Sequence, residues 1–132
     1  MGLAEKRWAQ EKKSAIEGGL LTAVRTAAGF EVPLEIDWDG FSNKMAESSY
    51  IGDDGHGLPQ LAKAIAAVAV DDLGKEAIKG SLKKVVIKPA TSNSATKFTF
   101  EDGVVTWLAY FGPSSDGYIY APEMQKAIEK AL

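Results

Sequence analysis

Apolar residues recur at helical spacing near the start of the chain, through Ile16, Leu20, Val24 and Ala27 or Ala28, and Gly29 then supplies a stop. The spacing predicts a helix from about Leu3 to Ala28. Gly18 and Gly19 fall in its middle, each about 1 kcal/mol worse than Ala, so a bend or a closely packed neighbour is expected there. Val32, Leu34, Ile36 and Trp38 next alternate with Glu31, Pro33, Glu35 and Asp37, the period of a half-buried strand. Pro33 has no N–H for a ladder, which sends this strand to a sheet edge or puts its proline at the outer side.

From Asp39 to Gly57 the periodicity stops. Asp39-Gly40 and Gly52-Asp53-Asp54-Gly55-His56-Gly57 are turn chemistry, with room for one short helical turn around Phe41 to Glu47. Pro59 suits the first position of a helix that continues through Leu61, Ile65 and Val68 to Val70. Interleaved alanines make that helix apolar nearly all round and place it at the centre of the packing. Asp71 or Asp72 can cap a further helix over Leu73 to Gly80.

Lys84 to Lys88 reads as a second strand, with Val85 and Ile87 on one face. Asp102-Gly103 between two β-favouring runs is the strongest local signal, a two-residue hairpin turn that sets register. It pairs Glu101 with Val104, Phe100 with Val105, Thr99 with Thr106 and Phe98 with Trp107. Phe98, Phe100, Val105 and Trp107 therefore share one face. Pro122 opens a final helix with an apolar stripe through Met124, Ala127, Ile128, Ala131 and Leu132. The sum, α-β-α-α-β-β-β-α, predicts a single two-layer α+β domain over residues 1–132. Its four-stranded sheet is expected to be mostly antiparallel, with helices on one face and the first strand joining in parallel through a helical crossover.

Composition adds exclusions. A chain of 132 residues, 45% of them hydrophobic, can bury a core without disulfides or structural metal. The absence of cysteine removes thiolate zinc sites, iron–sulfur clusters and thiol nucleophiles. The longest apolar run, Ala64 to Val70, is far short of the ~20 residues of a membrane span, and the expected location is cytoplasmic, with no membrane partner. A formal net charge of −3 argues against a nucleic-acid partner. The charge is nevertheless bipolar. Seven carboxylates against Lys44 give residues 31–54 a net −6, and five lysines against Glu76 give residues 75–88 a net +4. Across neighbouring strands, Glu31, Glu35 and Asp37 would face Lys84 and Lys88 on the uncovered side of the sheet, favouring that register by a few tenths of a kcal/mol per pair.

Candidate chemistry centres on the sole histidine, His56, beside Asp53 and Asp54. Two carboxylates and an imidazole can hold a divalent ion or form a base and its orienter. Neighbours in sequence rarely converge on one ion, so a metal site would need Asp37, Asp39 or Glu47 as well. Counted from Asp37, a calcium-loop template puts Phe41 and Ser48 where oxygen ligands belong, and it fails. No serine elbow, phosphate loop or dinucleotide fingerprint occurs. The sequence therefore calls for no catalytic residue, no metal and no cofactor. The expected function is a small non-catalytic interaction module, self-associating as a homodimer or binding a basic protein partner. Val86, Val104, Thr106, Leu108 and Tyr110 on the uncovered sheet face form its candidate interface. The alternative is a small-molecule-binding domain or minor enzyme built on Asp37, Asp39, Asp53, Asp54 and His56 in and beside the acidic loop from Asp39 to Gly57. A closed pocket containing His56 would favour the second, a shallow surface with exposed aromatics the first.

Overall fold

The computed structural model describes residues 2–114 and 116–132. The amphipathic start of the chain runs as α1 (Leu3–Lys12), a π-helical turn (Lys13–Glu17) and α2 (Gly18–Ala28). The irregularity expected at the glycine pair falls just ahead of it, in the wide π turn. A Cβ at Gly18 or Gly19 would meet nothing within 4 Å, so no close-packed neighbour uses the missing side chains. β1 (Leu34–Ile36) is shorter than the alternation implies. The reason is local: the Asp37 carboxylate accepts a hydrogen bond from Gly40 N at 3.0 Å and caps α3 (Trp38–Ser42). Trp38 enters the core as a helical residue, with its indole N–H donating to Glu17 Oε1 at 3.3 Å.

A 3₁₀ turn (Met45–Glu47) leads into the long loop, then α4 (Pro59–Val68) and α5 (Asp72–Ser81), whose cap is Asp71 accepting from Gly74 N at 2.8 Å. β2 (Lys84–Pro89), β3 (Lys97–Glu101), β4 (Val104–Ala109) and α6 (Ala121–Ala131) complete the order. The hairpin register is the one the sequence predicts, from Glu101 opposite Val104 to Phe98 opposite Trp107. Asp102 and Gly103 both take positive φ, as its tight turn requires.

The expectation of a mostly antiparallel sheet is overturned. Strand order is β1-β2-β4-β3, with β1 parallel to β2 and β2 parallel to β4, and only the hairpin pair antiparallel. After Pro89 the chain passes over the sheet end through residues 90–96 and lays β3 on the far edge. β3 takes the reverse direction, and the hairpin turn returns β4 into the gap, so β4 runs the same way as β2. Central placement suits β4, whose Val105, Trp107 and Ala109 are each 2% exposed or less. β1 lies on an edge, with Pro33 just ahead of it.

Leu34, Val85, Val105 and Phe100 stand in one row across the sheet, and Ile36, Ile87, Trp107 and Phe98 in the next. Both rows face the helices and join Leu61, Ile65, Met124 and Ile128 in one core. Trp107 meets Phe111 and Phe98 edge-on, with ring centroids 5.4 and 6.3 Å away. The opposite face is open.

Candidate functional site

Three parallel strands have a consequence that an antiparallel sheet would lack: their carboxyl ends lie side by side. In open sheets of this kind, ligands characteristically bind beyond those ends. Here the segments leaving β1, β2 and β4 are the loop to Gly57, the turn around Asn93, and residues 110–120. They are stitched together. Tyr50 N donates to Phe111 O at 2.8 Å and Phe111 N to Glu47 O at 3.1 Å. Asn93 Nδ2 donates to Ser114 Oγ at 3.4 Å.

The loop to Gly57 and the segment after β4 are each held by buried residues and by one glycine. In the first, Ile51 and Leu58 are buried, Leu58 N donates to Ile51 O at 2.8 Å, and Gly57 N donates to Asp53 O at 2.7 Å. A side chain at Gly57 would overlap the carbonyl oxygens of Tyr50 and Ile51, so the loop closes only around glycine. In the segment after β4, Phe111 is buried, and Gly117 has φ +93° and lies against the Asn93 carbonyl with no room for a Cβ. Gln60, 6% exposed, ties the first loop to the start of α6: its amide donates to Asp54 O at 2.7 Å and its Oε1 accepts from Ala121 N at 2.9 Å.

This framework gathers all four tyrosines of the chain around its single histidine. The imidazole of His56 lies 5.1 Å from the ring of Tyr118 and 6.1 Å from those of Tyr50 and Tyr120, centroid to centroid. Tyr118 in turn packs 5.8 Å from Tyr110 and 6.1 Å from Tyr120. The Tyr118 hydroxyl donates to Gly112 O, and the Tyr110 hydroxyl accepts from Ser114 N at 3.2 Å. Tyr50, His56, Pro113 and Tyr118 line a shallow hollow of about 220 Å³. Tyr50 is 44% exposed, so the hollow opens to solvent.

His56 Nδ1 sits 2.6 Å from Asp53 Oδ2, which also accepts from Gly55 N at 3.1 Å. The hydrogen bond from His56 holds the Asp53 carboxyl below its ordinary range against the opposing effect of burial, with the Gly55 N–H adding a lesser push downward. Burial pushes the Tyr118 phenol up, and the neighbouring tyrosines and Asp53 add to that, so it stays neutral across the physiological range. The site thus presents the neutral Tyr118 ring beside one ionised carboxylate.

The other candidate ligand-loop residues lie apart from this pair. Asp37 is engaged in capping α3, and Asp39 sits exposed in that helix. Asp54 follows Asp53, but its carbonyl is what is engaged, accepting from Gln60 and from Lys63 Nζ at 3.1 Å. Among the described residues, no three His, Asp or Glu side chains gather as a metal-holding group. Of the candidate interface residues, Val86, Val104, Thr106 and Leu108 are half-buried on the open sheet face. Tyr110 lies one residue beyond β4 and is drawn into the tyrosine cluster instead. On that face Lys84 Nζ reaches Glu35 Oε1 at 2.7 Å, so this charge complementarity is met within the chain.

Sequence reasoning reached Asp53 and His56 but missed Tyr50 and the role of Tyr110, Tyr118 and Tyr120. One signal was available: Tyr50, Tyr118 and Tyr120 stand beside turn-forming stretches, outside any strand or helix pattern. No protein-family model, curated protein or solved structure gives a significant match to this chain. Among the described residues, no helix is long and apolar enough to cross a membrane. What fold and site together define is an α+β domain with a mixed sheet and an aromatic surface at the carboxyl ends of its parallel strands.

Proposed function

We propose that this domain is a non-catalytic interaction module that binds a basic protein partner, and that its contact surface is the tyrosine–histidine patch. The observation that carries the reading is the convergence of Tyr50, Tyr118 and Tyr120 on His56, with Tyr110 packed against Tyr118, beside an open hollow. Tyrosine is enriched in contact surfaces because its ring supplies rigid apolar area and its hydroxyl tolerates water. Charge supports a basic partner: Asp53, Asp54 and Asp116 are exposed on the two loops that form the patch. Complementary charge of this kind speeds encounter and selects the partner.

A second reading, a site acting on a small molecule, draws on the 2.6 Å contact between His56 and Asp53, the arrangement of an imidazole base and its orienting carboxylate. The open mouth weighs against it, since such sites usually enclose most of their ligand. The deciding experiment is a titration of ¹⁵N-labelled full chain with a lysine- and arginine-rich peptide and with an acidic peptide of equal length. Saturable shifts confined to residues 50–57, 93 and 110–120 with the basic peptide alone are expected. An absence of shifts with the basic peptide would overturn the reading.

A further inference from the structure

We propose that the hollow between Tyr50, His56, Pro113 and Tyr118 is a receptor for one arginine side chain of the partner. The inference rests on the reading above and names what the site recognises. Size is the first argument. At about 220 Å³ the hollow is smaller than the ~300–1,000 Å³ typical of whole small-molecule ligands, and it suits a single side chain.

Its walls are the second argument. The Tyr50 and His56 planes meet at 52° and those of His56 and Tyr118 at 45°, so three rings turn about a common concavity. A cation seated there lies within the ~6 Å reach of several ring centroids at once. The Tyr118 phenol is neutral and its hydroxyl is committed to Gly112 O, so its ring face remains as the contact.

The third argument is an unused acceptor. Both hydrogen bonds to the Asp53 carboxylate fall on Oδ2, and among the described residues nothing bonds to Oδ1. Asp53 does not itself line the hollow, but its carboxylate lies against His56, which does, so a guanidinium stacked on a ring of the hollow has an ionised acceptor beside that wall. Ammonium is more strongly hydrated and must shed that water to sit among the rings, so lysine is the poorer occupant. A neutral side chain of the same shape keeps the stacking and loses the charge.

The test uses the full chain and three blocked tripeptides of glycine flanking arginine, lysine or citrulline, with affinities taken from the shifts of Tyr50, His56 and Tyr118 amides. Arginine is expected to bind about tenfold tighter than lysine, and citrulline to bind weakest. Tyr50→Ala and Asp53→Asn should each weaken the arginine affinity about tenfold with an unaltered far-UV spectrum. Equal affinity for arginine and lysine, or for arginine and citrulline, would overturn the arginine receptor and leave the basic-partner reading standing. Arginine shifts that map to the acidic edge around Glu31 and Glu35 would also overturn it. Failure of every basic peptide to bind would remove both proposals together.

Discussion

Replacing Trp107 with alanine tests the corrected sheet where it matters most. Trp107 sits on the central strand, opposite Ile87 in the parallel pair and Phe98 in the hairpin, and is 1% exposed. Truncation removes on the order of 150 Å² of buried apolar surface, which at ~25 cal/mol per Å² comes to about 4 kcal/mol. The edge-on contacts with Phe98 and Phe111 add roughly 0.5–1.5 kcal/mol each, while partial collapse of the site offsets some of the loss. A net loss of about 3–5 kcal/mol is expected, a large share of the ~5–15 kcal/mol by which domains of this kind are stable. Urea titration followed by far-UV circular dichroism reads it as a lower midpoint at unchanged slope. Thr106→Ala, one residue away on the open face, should stay within about 1 kcal/mol of wild type. A Trp107→Ala loss near zero, or equal losses for both variants, would show that the helix-covered face is assigned wrongly.

The remaining expectations concern loops, termini of the charge pattern and assembly. Gly117→Ala, at φ +93° and against the Asn93 carbonyl, should cost at least ~1–2 kcal/mol and weaken basic-peptide binding by displacing Tyr118; a variant that folds and binds like wild type would contradict the loop geometry. Gly19→Ala meets open space inside a helix and should raise the thermal midpoint, by up to about 1 kcal/mol of added stability; a lower midpoint would mean that the site is tighter than described. Asp53 is depressed on folding, so its contribution to stability is present above the ordinary aspartate value of 3.8 and is lost as pH falls through the lower folded value. Wild type should therefore lose a small increment at acid pH that Asp53→Asn never has, and superimposable acid limbs in the two denaturation profiles would refute the hydrogen bond. With Lys84 and Glu35 already paired within the chain, sedimentation equilibrium should find a monomer at ~100 µM; a dimer weakened by Leu108→Glu would restore the sheet face as an interface.

Residues 31–54 carry a net −6, yet Asp37 is engaged in a helix cap and Glu31 and Glu35 in ion pairs, with Arg25 at 3.0 Å and Lys84 at 2.7 Å. Much of the charge is answered inside the chain. Asp53 keeps Oδ1 free of hydrogen bonds among the described residues and lies against His56 of the hollow, which is why a cationic side chain is assigned there rather than along the acidic strand.

What the sequence determined by itself was local. Asp102-Gly103 settled the hairpin and its register because a two-residue turn leaves the flanking strands one way to pair. Period-two alternation put Val85, Ile87, Val105 and Trp107 on one face, and Asp71, Pro59 and Pro122 marked where helices begin, because these signals act within a few residues. Asp37 shows the limit even at short range: its cap ended the strand that the alternation carried on to Trp38. Strand order was decided only by the tertiary structure. The seven residues from Ala90 to Thr96 can reach an adjacent slot in the sheet or step past it, and no local energy distinguishes the two. Packing chose the second, because the strand buried most completely, β4, gains most at the centre. That choice made β1, β2 and β4 parallel and brought their three exit loops together. Tyr50 thereby came beside Tyr118, 68 positions away in sequence, and the site arose from a contact that no periodicity or motif encodes.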